Sequence, residues 1–550
     1  MNAAQLLVQC LENEGVQFVF GIPGEETLDL TEALDQSPSI TFIPTRHEQG
    51  AAFMADVYGR LSTYPGVCLA TLGPGAANLL TGVADAHLDR APVVAITGQA
   101  GLERVYKESH QYVDVVGMFR PVTKWNARIE RPEAVPEMVR KAFRLARLEK
   151  PGATHLELPE DIAALAVEAQ PMPVRRTTYP QAGAVTLERA ATLLMQAQRP
   201  LCLAGNGVVR RQAAGRGAAE ALDLLAHRLQ IPVTHTFMAK GVLDDHDPFT
   251  LPSVGLQRPG ADLAALPALA EADMVLAVGY DLVEWAPVLW NPHGDKTIIH
   301  IDSTPAEIDG HYLPAVEVVG EIGESLRGLL SLCEQHGQPG WMGTHPTPAD
   351  HRVVETMQRY AADNSWPMKP QRVVADVRAA LGEQDILLSD VGAHKIWLGR
   401  LYPARRPNTV VIANGFASMG IALPGAIAAK LVFPQRQVVA VSGDGGFLMN
   451  VQELETAKRL GTAIVVTVLV DGRFGVIESN QMRRFGHSAG IHFGNPDFVQ
   501  LARAFDLPGF AITKAEELLP TLKQALALGQ PALLAVPIDA RENLRLGAPL

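Results

Sequence analysis

The feature that most limits what this chain can fold into is a series of short, continuous apolar runs, rich in β-branched residues and bounded by Gly and Pro. FVFGIPG (18–24), GVCLATLGPG (66–75), VVAITG (93–98), LCLAGNG (201–207), MVLAVGY (274–280), TIIHID (297–302), VVAVSGDGG (438–446) and AIVVTVLVDG (463–472) all have this character, with helical patterns between them. A run without polar alternation offers no solvent face, so these segments suit strands buried on both sides. That requires parallel sheets with crossover helices, an α/β architecture. Two proline-bearing stretches, 166–184 and about 335–350, read as linkers. They divide the chain into 1–165, 185–335 and 350–540, and each piece suits one doubly wound parallel sheet. The expectation is three such domains in series, which fits 550 residues.

Composition narrows the function. Hydrophobic residues make up 47% and charged residues 19%, enough for sizeable cores and too little polarity for long disorder. The net charge of −12 argues against a nucleic-acid surface. It leaves anionic small substrates open, because a local field can oppose the net charge. No run is long enough to cross a membrane. Cys10, Cys68, Cys202 and Cys333 are scattered, without a CxxC pair or zinc spacing, and read as reduced, buried thiols. The opening MNAAQLLVQCLENEG has polar residues inside its apolar periodicity and no basic segment. It reads as an amphipathic helix rather than a signal peptide, so a cytoplasmic enzyme is the expectation.

Ligands in doubly wound sheets sit at the carboxyl ends of strands. The strongest feature there is VVAVSGDGGFLMNVQELETAKRL. A buried strand ends at Ser442, Gly443-Asp444-Gly445-Gly446 makes a turn, and a helix follows. Glycines let backbone N–H groups approach an anion, and a helix N-terminus favours negative charge. Asp444 would repel a phosphate in that turn unless a cation lay between them, and magnesium accepts both kinds of oxygen. A second strand delivers Asp471 to its end, 27 residues after Asp444, and a carbonyl near Arg473 offers a third oxygen. Glu48 follows a short β run and precedes a helix with Gly50, Ala51, Ala52 and Ala55 on it. From its residues alone it fits a solvated helix-start glutamate as well as a catalytic acid.

GDGGFLMN followed by VDG resembles the thiamine-diphosphate motif, in which GDG, a helix, a strand and a late Asn or Asp bind the cofactor's metal. The resemblance to thiamine-diphosphate-dependent enzymes covers about residues 3–545. Within them it runs closest to acetolactate synthases of the catabolic, flavin-independent type. It implies Mg²⁺ held by Asp444, Asp471 and the carbonyl of Arg473, with Gly443, Gly445, Gly446, Phe474 and Gly475 around the diphosphate. SDVGAHKIWLGR resembles the loop over the diphosphate and implies contacts from Gly392, Ala393 and His394. ANGFASMGIALPG implies Gly415, Ala417 and Met419 against the pyrimidine, Met419 propping the cofactor's bent shape. RHEQGAAFMADVYGR resembles the family's glutamate motif and gives Glu48 the activating role at the aminopyrimidine. FGIPGEETLDL and TLGPGAANLLTG imply cofactor contacts at Pro23, Gly24, Pro74 and Asn78. HQYVDVVGMFRPVTKW implies His110, Gln111 and Lys124 near the reacting centre.

This chain departs from the family pattern at several of these positions. Asp471 stands where Asn is usual and Gly446 where Ser is frequent. Leu72, Ala77 and Ala393 replace Ser, Thr and Gln. The central segments AGNGVVRRQAAG and SVGLQRPG are similar to a nucleotide site, but Val254-Gly255-Leu256-Gln257 replaces the flavin-binding loop of biosynthetic relatives, so FAD is not expected. The resemblance implies decarboxylation of pyruvate and ligation to a second pyruvate, giving 2-acetolactate and CO₂. The alternatives are another 2-oxoacid decarboxylase or carboligase, or a flavin-dependent pyruvate oxidase. It also implies a homodimer or homotetramer with active sites between chains.

Overall fold

The computed structural model describes residues 1–175, 177–210, 217–258, 266–342 and 352–546. Three parallel sheets follow one another along the chain. The first contains β1 (Phe18–Gly21), β2 (Thr41–Pro44), β3 (Gly66–Ala70), β4 (Val93–Gln99), β5 (Trp125–Arg128) and β6 (Ala153–Pro159), in the order β2-β1-β3-β4-β6-β5. The second contains β7 (Pro200–Ala204), β8 (Val233–His235), β9 (Met274–Val278), β10 (Thr297–Asp302) and β11 (Val316–Val319), in the order β8-β7-β9-β10-β11. The third contains β12 (Ile386–Ser389), β13 (Val410–Ile412), β14 (Val438–Gly443), β15 (Val465–Val470), β16 (Gly509–Ala511) and β17 (Ala532–Pro537), in the order β13-β12-β14-β15-β17-β16. The first and third sheets therefore share one strand plan. Each sheet reverses its order near its middle or towards one edge, between β1 and β3, β7 and β9, or β12 and β14. Such reversals open a crevice outside the strands' carboxyl ends.

The apolar runs explain the strand interiors. β3, β4 and β6 are buried at every position, as two-sided helix cover demands. The four cysteines are free and buried. The opening segment forms helix Ala3–Asn13, capped by Asn2, and the described residues contain no helix long and apolar enough to cross a membrane. Part of the second linker, 343–350, lies outside the described residues.

Small residues join the first and third domains into one core. Helix Glu48–Leu61 packs between Gly73–Leu88 and Ala422–Val432. A Cβ at Gly82 would stand 2.5 Å from the Cβ of Ala52, and one at Gly425 2.8 Å from Val57 Cγ2. Only glycine permits this approach. Ala52, Phe53 and Val57 thus share a cluster with Ala422, Ala426, Ile427 and Phe447.

A buried charge cluster fixes the same junction. Arg60 meets Asp56 Oδ1 at 2.6 Å, Asp89 Oδ2 at 2.6 Å and Asp85 Oδ2 at 3.4 Å, and all three carboxyl groups are buried. Burial raises Asp56 and pushes Asp85 well above the ordinary carboxylate range, and the neighbouring carboxylates add to it. The same acids reach into the third domain. Asp89 accepts from the amides of Asn414 (3.1 Å) and Gly415, and Asp85 Oδ1 from that of Ser418 (2.9 Å). Asp89→Ala leaves the Arg60 guanidinium and two amides short of a buried partner. It is expected to cost about 3–5 kcal/mol, read as a lowered urea midpoint for the joined first and third domains, with Asp89→Asn costing less.

Candidate functional site

A cavity of about 410 Å³ opens at the reversal of the third sheet. β14 runs into Gly443 and a single helical turn, Asp444–Phe447, so Asp444 stands at the cavity floor. Four donors hold its carboxylate. Oδ2 accepts from the amides of Asp471 (3.0 Å) and Gly472 (2.7 Å) and from Asn495 Nδ2 (2.7 Å), and Oδ1 from the Gly445 amide (2.9 Å). β15 brings in Asp471, which accepts from the Arg473 amide and from Asn543 Nδ2, each at 3.3 Å. Burial pushes Asp471 up to about 7, and the charge of Asp444 adds to it. The Arg473 guanidinium is tied to Glu478 at 3.0 Å. Two facing carboxyl groups in a partly dry site form a hard-oxygen donor set, and a dication between them removes their repulsion.

The rest of the cavity suits an anion beside that cation. Gly443, Gly445 and Gly446 line it, together with Gly392, Ala393 and His394 at the start of helix Ala393–Leu401. Space at Gly445 is tight: a Cβ would lie 3.1 Å from both Phe474 and Phe493, and the rings would have to give way. His394 is buried and pushed down to about 4 by that burial, and its buried Nε2 has no partner among the described residues. Phe474, Gly475, Ala417 and Met419 complete the wall. Ala417 takes a left-handed φ of 57°, which carries the loop into the cavity.

Several expected residues lie elsewhere. Gly415 is turned towards the first domain, its amide on Asp89, and does not line the cavity. Glu48, Pro23, Gly24, Pro74, Asn78, His110 and Gln111 do not line it either. Most of these gather around the turn after β3. Asn78 Nδ2 donates to Glu48 Oε2 at 3.0 Å, and a Cβ at Gly75 would lie 3.2 Å from Glu48 Oε1. Gly24 closes on Thr71, and Gly73 on the Gln111 carbonyl. Glu453 of the third domain accepts the amides of Arg46 and His47 at 3.1 Å and so sets where the helix bearing Glu48 begins. Lys124 lies apart from this turn. Its Nζ donates to the carbonyls of Leu148 (2.5 Å) and Lys150 (2.8 Å). It leads into β5, the sheet edge farthest from this turn on that side, so its ammonium is committed to the backbone there.

Some residues in or beside the cavity escaped sequence reasoning. Asn495 and Asn543 hold the two aspartates from irregular or 3₁₀ segments with no motif around them. Lys395 lines the cavity and donates to Ala413 O (3.1 Å) and Asn414 Oδ1 (2.9 Å), and burial pushes its ammonium down to about 8. Its place beside His394 in a glycine-led helix start was the one available signal.

Comparison with known proteins follows the three sheets. Residues 1–118 match the N-terminal TPP binding domain of thiamine pyrophosphate enzymes, 187–329 their central domain and 390–536 their C-terminal TPP binding domain. The chain belongs to the thiamine pyrophosphate enzymes. Among curated proteins it is 36% identical to the catabolic acetolactate synthase of Raoultella terrigena, over 98% of this chain and 96% of that one. It is 34% identical to acetolactate synthase of Bacillus subtilis (strain 168), over 100% and 95%. It is 31% identical to the acetolactate synthase isozyme 1 large subunit of Escherichia coli (strain K12), over 99% and 95%. Within the class, then, it is a member of the acetolactate synthase family. Asn495→Ala removes one of the four donors that orient the Asp444 carboxylate and leaves three backbone amides to hold it. It is expected to weaken thiamine diphosphate binding by about ten- to a hundred-fold, measured by quenching of protein fluorescence.

Proposed function

We propose that this chain converts two molecules of pyruvate into 2-acetolactate and CO₂, using thiamine diphosphate and Mg²⁺ and no flavin. The observation that carries the reading is the Asp444–Asp471 pair at the ends of β14 and β15, facing a glycine-lined cavity. Asp444, Asp471 and the Arg473 carbonyl hold Mg²⁺ in this reading. The amides of the glycine turn and His394 Nε2 face the diphosphate. When bound, thiamine diphosphate supplies the electron sink that lets a 2-oxoacid lose CO₂. Glu48 holds a proton at the ring nitrogen of the cofactor's pyrimidine, with Asn78 fixing its carboxyl. Val391, Leu469, Val476 and Ile477 give the cavity apolar walls. They exclude water that would divert the two-carbon unit to acetaldehyde. Arg258 and Arg483 line the same cavity without a carboxylate partner among the described residues, and offer a local positive field to an anionic substrate on a chain of net charge −12.

Glu48 and its neighbours do not line their own chain's cavity, which supports an active site completed by a second copy, in a homodimer or a homotetramer. The full reading is a cytoplasmic enzyme with neither nucleic acid nor membrane as partner. Incubation with pyruvate, thiamine diphosphate and Mg²⁺, followed by product identification, tests it directly. Acetaldehyde or acetyl phosphate in place of 2-acetolactate overturns the reaction, and turnover that persists in EDTA overturns the metal. Glu48→Gln is expected to lower turnover by about 10²–10⁴-fold, and Asp444→Ala to abolish it. Co-expressing the two variants should restore part of the activity, because one site of a mixed dimer is then intact. Two inactive variants that stay inactive together sink the shared site.

A further inference from the structure

The central domain has a crevice of its own, and a side chain fills it. The second sheet reverses between β7 and β9, with β8 beside them. β7 runs into Gly205-Asn206-Gly207 and β9 into Gly279-Tyr280-Asp281. The two turns are tied together by Gly205 N to Val278 O (2.9 Å) and Gly207 N to Gly279 O (2.8 Å). In a doubly wound sheet this is the position where ligand anions meet free amides. Here those donors converge on one carboxylate. The Asn206 amide lies 3.0 Å from each oxygen of Glu284, the Asp281 amide 3.0 Å from Oε1, and Thr236 Oγ1 2.5 Å from Oε2. Glu284 is 1% exposed, and a Cβ at Gly205 would stand 2.7 Å from its Oε1. Tyr280, Trp285, Trp290 and Tyr312 are wholly buried nearby.

The same turn binds the other two domains. Asp281 pairs with Arg210 (2.8 Å), Arg90 (3.3 Å) and Lys150. The Glu284 carbonyl accepts from Asn414 Nδ2 at 2.7 Å, and Asn206 Nδ2 donates to the Asp89 carbonyl at 3.1 Å. A carboxylate in this place is costly to bury, and burial with the charge of Asp281 pushes Glu284 up to about 7. Its amide and hydroxyl donors offset that cost.

We propose that Glu284 is the central domain's built-in ligand. Its carboxylate occupies the position a nucleotide phosphate would take, closes the three-domain junction around itself, and leaves a cradle specific for a small carboxylate when removed. This deepens the flavin-free reading and rests on it.

The test uses the full-length holoenzyme. Glu284→Ala should lower the thermal midpoint by about 5–10 °C. Sodium acetate or formate should restore it saturably, and sodium chloride at equal ionic strength should not. Glu284→Gln keeps the cradle filled, so its lowered midpoint should not respond to acetate. If the alanine variant is insoluble, refolding in acetate against chloride replaces the melt, and recovery in acetate alone is the expected result. Absence of an acetate effect in both formats, or an equal effect on the Gln variant, overturns the proposal. Flavin fluorescence titrated with native protein reports separately. Uptake of FAD overturns the flavin-free reading whatever acetate does.

Discussion

Arg60 sits among three buried carboxyl groups, and one guanidinium cannot neutralise them all. Their remaining buried oxygens have to be met by donors from elsewhere, and the third domain supplies them. The amides of Asn414, Gly415 and Ser418 point at Asp89 and Asp85 across the junction. The segment that carries Ala417 and Met419 into the cavity is thereby anchored in the first domain. Lys395 holds it from one side through Asn414, and the Glu284 carbonyl holds it from the other. The cavity wall is thus placed by charge compensation among three domains, more than by packing within one.

Like charges govern the cavity floor as well. Asp444 is oriented by four N–H donors, which leaves Asp471 as the partner that burial and repulsion push upward. Such a pair favours a dication, because the ion removes the repulsion and the desolvation cost together. Asp in place of the family's more usual Asn at 471 strengthens that preference by one charge.

Much of the fold was legible because burial on both faces leaves a plain mark, the unbroken apolar run. β4, β9, β14 and β15 fall where such runs predict strands. The short strands β8 and β16, three residues each, left too little pattern to be read. The Gly443–Gly446 turn and Asp471 were readable because their spacing is set by one helix and one strand. Asn495 and Asn543 were not, since their positions depend on how irregular segments fold back over the aspartates. Lys124 stands apart from His110 and Gln111, since nearness in sequence says nothing of the edge strand that carries its ammonium away. The glycines at 205 and 207 mark a turn at a strand end, but no pattern around them signals that residue 284, some eighty positions on, reaches back to it.

The first and third sheets share one strand plan, yet their crevices are furnished differently. One gathers a single carboxyl, Glu48, held by Asn78, and the other a facing pair, Asp444 and Asp471. The core between them closes on Gly82 and Gly425, where a Cβ would meet its neighbour at 2.5 and 2.8 Å. A methyl group added at either glycine would therefore act far from both crevices and still change the distance between them.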